Sequence, residues 1–531
     1  MKRISLRKKK WIERTVANDR SYKWILYNRF YIYFFLVLIQ VAIFVALGFL
    51  FVYYSPIGAV LQSLLFATSV FVACYIFNSN EPASGKMSWL LLIFIIPVVG
   101  VPAYFLYSEG KPTFLMRKKM EKARKENLAK INAFYGEKEL SPVKTRGETV
   151  ERYIQNSVFY PSFHSGRVEY FESGEKIFPE MLNCIANAKK YILLEYFIIE
   201  HGKMWSEILK LLLQKAEEGV KIRIIYDGFG CMMTLPPAYD KYLQSLHENI
   251  RCIIFNRVMP IFAVKMNNRD HRKILVIDGE IGFTGGINLA DEYVGEKRRF
   301  GHWKDTGIKI TGDSVRNFVD TFFYTWNAFC KEKEDIAQYL PNPSLEVERT
   351  GFSVQPYDSS PLNKKRVGEG VYLDMVARAT RYLYIFTPYL ILTEVMRDAL
   401  CQACARGVDV RLVIPYIPDK KTVYRITRLH ADELRKAGVK VYLYAPGFIH
   451  AKSMVCDDEY GVVGSINLDY RSLYLHFENA VYFSGCQAVL DLKKDCENTM
   501  AVSTPYQENI KKRKLLGRII DGLLRLVENL L

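Results

Sequence analysis

Two constellations of residues, far apart in the chain but with identical internal spacing, constrain the fold more than any other feature. The first is His271-Arg-Lys273, Asp278, Gly285-Gly286 and Asn288. The second is His450-Ala-Lys452, Asp457, Gly464-Ser465 and Asn467. The strand-like segments upstream repeat as well. Tyr191-Ile-Leu-Leu-Glu-Tyr-Phe197 resembles Tyr382-Leu-Tyr-Ile-Phe-Thr-Pro-Tyr389, and Gly219-Val-Lys-Ile-Arg-Ile-Ile225 resembles Gly407-Val-Asp-Val-Arg-Leu-Val413. More weakly, Asn249-Ile-Arg-Cys-Ile-Ile-Phe255 parallels Gly438-Val-Lys-Val-Tyr-Leu-Tyr444. Amphipathic stretches separate these segments, so each copy runs strand, helix, strand, helix, strand. That order predicts an α/β protein of two similar lobes, 150–340 and 341–505, each a mixed sheet flanked by helices. A pseudo-twofold axis would relate them.

Within each constellation, spacing sets geometry. A His and a Lys two apart on a strand point to one face. In the first copy, Asp278-Gly279 stands between Ile274-Leu-Val-Ile277 and Ile281-Gly-Phe-Thr284, which is a hairpin-turn signal. The hairpin returns Gly285-Gly286 and Asn288 to the His-Lys end, where small residues let backbone approach a ligand. Lys273 with Asn288, and Lys452 with Asn467, then offer one phosphate a charge and a directional donor. Imidazole acts either as a nucleophile at phosphorus or as a general acid and base, and two histidines in one cleft can divide those roles. One composite site between the lobes is therefore expected. Each His needs a partner on its second ring nitrogen. Asp305 and Glu478 lie at comparable distances downstream of the two motifs. They are assigned that orienting role, Asp305 for His271 and Glu478 for His450. Asp278 and Asp457 read equally well as turn residues and as members of the catalytic set. No four-ligand metal cluster accompanies these residues, so neither a metal nor a cofactor is expected.

The N-terminal part is of another kind. Ten Lys and Arg precede Tyr31, and uncharged apolar runs cover Tyr31 to Tyr54, Ile57 to Phe77 and Trp89 to Tyr107. A bilayer needs roughly 20 apolar residues to be crossed. Segment 1–30 is thus read as a basic cytoplasmic N-terminus and 31–107 as a membrane region of two to three helices. The first run is too long for a signal-peptide core and is read as a retained anchor. A basic linker, 108–149, follows with Arg117, Lys118, Lys119, Lys122, Arg124 and Lys125. Positive flanks on both sides predict an even number of crossings and a cytoplasmic catalytic region in a multi-pass cell-membrane protein. Pro97 and Pro102 mark the third run as the candidate for a re-entrant or interfacial segment.

The net charge of +17 suits nucleic acid and an anionic membrane surface alike; the apolar runs favour the membrane, and no nucleic-acid partner is expected. Ten scattered cysteines, including the lone pair Cys401 and Cys404, read as reduced thiols. In 506–531, Lys511-Lys-Arg-Lys514 leads into Leu515, Leu516, Ile519, Ile520, Leu523 and Leu524 at helical spacing. That is either a core or dimer helix, or an amphipathic helix lying on anionic lipid.

The paired His-x-Lys motifs with their Asp and Asn form the duplicated signature of the phospholipase D superfamily, which the chain resembles from about 150 to 502. More narrowly it is similar to bacterial cardiolipin synthases. The supporting residues are Trp89, Pro97-Val-Val-Gly100, Gly285-Gly-Ile-Asn-Leu-Ala-Asp-Glu-Tyr293, His302-Trp-Lys-Asp-Thr306, Thr387-Pro-Tyr389 and Asn467-Leu-Asp-Tyr-Arg-Ser472. The resemblance implies transfer of a phosphatidyl group from one phosphatidylglycerol to another through a phosphohistidine, with release of glycerol. It also implies that His271 is the nucleophile and His450 the general acid. Two departures are Asp458, in place of the Gly of the first turn, and His476, where a neutral polar residue is expected. The same machinery would serve a phospholipase D-type hydrolase, a nuclease or a transferase using another alcohol. A catalytically dead lipid-binding scaffold is disfavoured because His271, Lys273, His450 and Lys452 are all intact.

Overall fold

The computed structural model describes residues 57–79, 83–107, 112–136, 148–257, 267–342, 351–507 and 515–528, with scattered helical positions between 31 and 54. The basic N-terminus, most of the first apolar run and the Lys511–Lys514 cluster lie outside the described residues. The second apolar run is helix α1, Gly58–Phe77. It is the one helix among the described residues long and apolar enough to cross a membrane, and only 17% of its apolar window is buried. The third run is not one span. It divides into α2, Ala83–Ile95, and α3, Pro97–Tyr107. Pro97 cannot continue a helix from its amide, and Gly100 lies directly against the backbone of Ile93, so the two helices fold back on each other. The Trp89 and Tyr104 rings meet edge to face at 5.6 Å across this hairpin.

The basic segment read as a linker is built into the body. Thr113 caps helix α4, Phe114–Tyr135, by accepting from the amide of Met116. Met116, Met120 and Ala123 enter the main core. Arg124 donates to the Asn363 side chain and the Val158 carbonyl, and Asn127 donates to Asp320.

The first sheet contains β1, Arg167–Phe171; β2, Tyr191–Tyr196; β3, Lys221–Asp227; β4, Ile250–Phe255; β5, Lys273–Ile277; β6, Ile281–Gly285; and β8, Gly307–Thr311. Strand β7, His302–Lys304, stands apart from it. The second sheet contains β9, Ser353–Ser359; β10, Tyr382–Phe386; β11, Asp409–Pro415; β12, Lys440–Tyr444; β14, Ser453–Cys456; β15, Tyr460–Gly464; β16, Glu478–Ser484; and β17, Thr504–Pro505, while β13 is Gly447–Ile449. The orders β4-β3-β2-β5-β6-β8-β1 and β12-β11-β10-β14-β15-β16-β9 correspond strand for strand, and β17 is an addition to the second. In each, three strands are parallel and the others antiparallel, so both sheets are mixed.

Successive side chains on a strand face opposite ways, which gives each sheet two buried faces. Ile192 and Leu194 of β2 join the outer core of the first lobe, whereas Leu193 joins the core between the lobes. That shared core also holds Val413, Val455 and Val481 of the second sheet. A single apolar layer thus fuses the lobes. At its centre Arg272 is fully buried, held by Glu195 and Asp270 of its own lobe and by Asp358 of the other.

The last helix, Leu515–Val527, packs against the helix Lys421–Lys436 and against α2. Its polar edge makes the contact: Asp521 pairs with Arg425 at 2.7 Å, Glu528 just beyond it with His430 at 3.2 Å, and Arg525 with Glu433. Leu515, Ile519 and Leu523 stay exposed.

Candidate active site

Both hairpins turn as their residues dictate. Asp278 and Gly279 have φ of 55° and 74°, and Asp457 and Asp458 have 56° and 60°. Two successive left-handed residues are the turn whose twist matches a hairpin, and Asp tolerates that conformation, which is why Asp458 can replace glycine. The Asp278 carboxylate accepts from the amides of Lys189, Lys190 and Tyr191 at 2.7–2.9 Å. Asp457 does the same for Thr380, Arg381 and Tyr382. These two acids tie each turn to the start of the neighbouring strand. They sit at the opposite end of β5 and β14 from the histidines, with the whole strand between them. The catalytic reading of Asp278 and Asp457 is therefore corrected to the turn reading.

The histidine ends of the same strands meet across the lobes. The amide of His271 donates to the Phe477 carbonyl, and the amide of Phe477 donates to the Arg269 carbonyl, both at 2.8 Å. In the mirrored position, β7 and β13 pair in parallel, and the amide of His450 donates to the Lys304 carbonyl at 2.7 Å. Each histidine is clamped by backbone to the segment that carries the other lobe's acid. Consequently Nδ1 of His271 lies 2.9 Å from both oxygens of Glu478, and Nδ1 of His450 lies 2.6 Å from Oδ2 of Asp305. The expected pairing of Asp305 with His271 and Glu478 with His450 is thus reversed. Sequence distance suggested partners within a lobe, whereas strand pairing between lobes supplies them.

The small residues of the motifs have a different task from the one expected. A Cβ on Gly286 would stand 2.1 Å from Oδ1 of Asp305, so glycine makes room for that carboxylate. The equivalent Ser465 instead donates its hydroxyl to Glu478, and Ser472 adds a second donor at 2.7 Å. Each acid is therefore seated in its own lobe and orients the histidine of the other.

Lys273 and Lys452 are buried behind the histidines, and each ammonium donates to the carbonyl oxygen of its own motif histidine. Burial lowers them, Lys273 to about 7 and Lys452 to about 8, against the pull of the buried carboxylates. Burial, and then the two lysine charges, holds both histidines well below the usual imidazole range, so both are neutral near pH 7. Burial raises Asp305 to about 7. His476, whose ring centre is 5.6 Å from that of His271, is pushed down to about 3 by burial. Among the described residues, His271, His476 and Glu478 form the one group of potential metal ligands, with donor atoms within 4.8 Å of one another. Their separation in sequence concealed that grouping.

His271 and His450 open into one cleft of about 440 Å³, which Asn288 and Asn467 also line. The Asn288 amide is occupied, donating to the Tyr293 hydroxyl at 2.6 Å and accepting from the amide of Ile198 at 3.1 Å. Oδ1 of Asn467 is buried without a partner. Phe197, Tyr293, Trp303 and Tyr389 give the cleft an aromatic wall, and Tyr293 and Trp303 pack on the His450 ring. Their aromatic identity was visible in the sequence, but their convergence was not. Two neutral imidazoles from different lobes, each with Nδ1 held by an acid, leave Nε2 to act on a group bound between them. Such a pair can attack phosphorus from one side and move a proton on the other.

The sequence matches the family described as "Cardiolipin synthase, PLD-like domain" over residues 181–301 and 372–500. It also matches the phospholipase D-nuclease N-terminal family over 67–108. Cardiolipin synthase 2 of Bacillus cereus is 32% identical over 483 residues, 88% of this chain and 91% of that protein. The major cardiolipin synthase ClsA of Bacillus subtilis is 32% identical over 487 residues, covering 90% of this chain and 100% of its own. Among solved structures, a phosphatidylserine synthase of Haemophilus influenzae superposes with a TM-score of 0.56 at 16% identity. That match covers 73% of this chain and 100% of that one, which establishes likeness of fold.

Proposed function

The chain belongs to the family of phospholipase D-like cardiolipin synthases, and from that premise we propose that it transfers a phosphatidyl group from one phosphatidylglycerol to another, releasing glycerol. The observation that carries this reading is the cross-lobe pair of neutral histidines in one cleft, each held by a buried acid. Nε2 of His271 attacks the phosphorus. The N–P bond forms as the bond to the glycerol oxygen breaks, and His450 gives that oxygen its proton. The hydroxyl of the second lipid then loses its proton to His450 and attacks phosphorus, breaking the N–P bond and freeing His271. Glu478, fixed by two serine hydroxyls, suits the nucleophile arm, because it holds the Nδ1 proton while positive charge develops on the ring. Asp305 at about 7 suits the arm that exchanges a proton. Arrival of the phosphodiester anion favours the imidazolium form of His450 and supplies the acid. Lys273 and Lys452, buried behind the histidines, favour the negative phosphorane by their charge, and Asn288 and Asn467 line the cleft that receives it.

The same reading places the protein in the cell membrane as a multi-pass protein, with 31–107 in the bilayer and lobes 150–340 and 341–505 in the cytoplasm. Supporting it are the exposed apolar surface of α1, the positive flanks and the free cysteines. The 506–531 tail then lies on anionic lipid, its exposed leucines and isoleucines turned to the surface. The test is incubation of the purified protein with phosphatidylglycerol alone. Cardiolipin and glycerol in equal amounts are expected, and phosphatidic acid in their place would make it a hydrolase. Strong labelling of a catalytic-lobe cysteine by an impermeant reagent in intact cells would reverse the orientation.

A further inference from the structure

A transferase that joins two phosphatidylglycerols must hold two phosphodiesters. The donor phosphate lies between His271 and His450. The acceptor brings its own phosphate, a glycerol's length from the attacking hydroxyl. Three guanidiniums line the same cleft, those of Arg269, Arg299 and Arg471, and none has a role in the chemistry described above; two of them belong together. Arg269 precedes His271 by two residues in the segment clamped to the second lobe, and Arg471 comes from the second lobe's short helix Tyr470–Tyr474. Nη2 of Arg471 donates to Asn267, in the same segment as Arg269, at 3.3 Å. Both cations therefore flank the cleft on the His271 side, one from each lobe.

Among the described residues their one ion pair is that of Arg269 with Asp227. Nε and Nη2 of Arg269 are spent on the carbonyls of Asn268 and Asn256, with Asp227 at 3.5 Å, whereas Nη1 is buried without a partner. Arg269 itself is 3% exposed. Among the described residues Arg471 makes no ion pair. Its neighbour Asp469 is occupied in capping the helix by accepting from the amide of Ser472 at 2.8 Å. Burial and the nearby Arg269 depress Arg471, while Asp469 opposes them. Two like charges drawn together in a partly desolvated wall are relieved when an anion binds between them, and guanidinium is the side chain best shaped for a phosphodiester.

We propose that Arg269 and Arg471 form a second phosphodiester subsite that holds the acceptor lipid and selects phosphatidylglycerol over an uncharged alcohol. The proposal rests on the transferase reading and adds to it. An uncharged acceptor bypasses this subsite, whereas a lipid acceptor depends on it.

The test uses the full-length protein in phosphatidylglycerol vesicles, with Arg471→Gln and Arg269→Gln, and two readouts. One is cardiolipin formed. The other is incorporation of labelled free glycerol into phosphatidylglycerol, which uses the donor site and the same histidines but an acceptor without phosphate. Loss of a charge-assisted contact predicts cardiolipin formation falling about ten- to hundredfold, chiefly through KM, with glycerol exchange within about twofold of the parent. Arg471→Lys, which keeps the charge but not the fork, should recover part of the loss. Equal decline of both activities, or no decline in either, overturns the subsite. If one variant unfolds on a thermal melt, the other supplies the same split, because each lobe contributes one arginine. A parent that performs neither transfer and yields only phosphatidic acid refutes the transferase reading, and the subsite with it.

Discussion

Glu478→Gln and Asp305→Asn should damage different halves of the reaction, because each acid serves the histidine of the opposite lobe. Attack by His271 places positive charge on its ring, and Glu478 sits 2.9 Å from Nδ1. A hydrogen bond to a charged partner contributes about 1.5–3 kcal/mol, so neutralising Glu478 should slow attack about 10- to 150-fold. The Ser465 and Ser472 hydroxyls also favour an oxygen at both positions of the carboxyl group. If the new amide turns its NH2 towards the ring, the proton moves to Nε2 and the nucleophile is lost. Asp→Asn at a comparable His–acid pair costs on the order of 10⁴. Asp305 lies 2.6 Å from His450 and should affect proton transfer instead. A p-nitrophenyl phosphatidyl ester separates the two, since its leaving group needs no proton. In a quenched single turnover, Glu478→Gln should slow nitrophenol release. Asp305→Asn should release it at close to the parent rate and then accumulate a phosphatidyl adduct, mapped to His271 by mass spectrometry. Normal release by Glu478→Gln together with abolished release by Asp305→Asn would refute the cross-lobe assignment. An adduct on His450 alone would exchange the two roles.

Four further outcomes are expected. Gly286→Ala should displace Asp305, whose oxygen lies 2.1 Å from the added Cβ, and should reproduce the adduct-accumulating behaviour of Asp305→Asn without changing the His271 arm. Asp278→Ala strands three backbone amides and should lower the unfolding free energy by about 1–3 kcal/mol in a denaturant melt, while turnover per folded molecule stays at the parent level. With Lys273 at about 7 and Lys452 at about 8, the charged forms persist below these values and are lost above them. kcat/KM should therefore fall as pH rises through about 7 to 8, and bound phosphodiester should shift the kcat limb to higher pH; a flat profile up to pH 9 would contradict this. Arg272→Leu leaves Glu195, Asp270 and Asp358 buried without their cation and should cost about 3–5 kcal/mol of stability, read as a lower denaturant midpoint.

What the sequence alone could determine follows from short-range chemistry. The duplicated lobes, the Asp-Gly turn and the placing of His271 and Lys273 at the start of one hairpin depend on residues a few positions apart, through alternation and turn preference. The third apolar run was legible only in part: its prolines marked a departure from a plain span, but the packing of Gly100 on Ile93 makes it a hairpin. The charges of α4 suggested a tether, since the apolar stripe of Met116, Met120 and Ala123 has no meaning until the helix they pack on is known. The exchange of acids belongs to the tertiary structure outright. Asp270 pairs with Phe477, and β7 with β13, through backbone groups that every residue carries, so no side-chain pattern encodes those partners. Sequence singled out His271, His450, Asn288 and Asn467, which the fold gathers in one cleft. Which acid meets which histidine, and which arginines share their cleft, was decided by how two similar sheets close on one core, because backbone pairing between remote segments leaves no local signature.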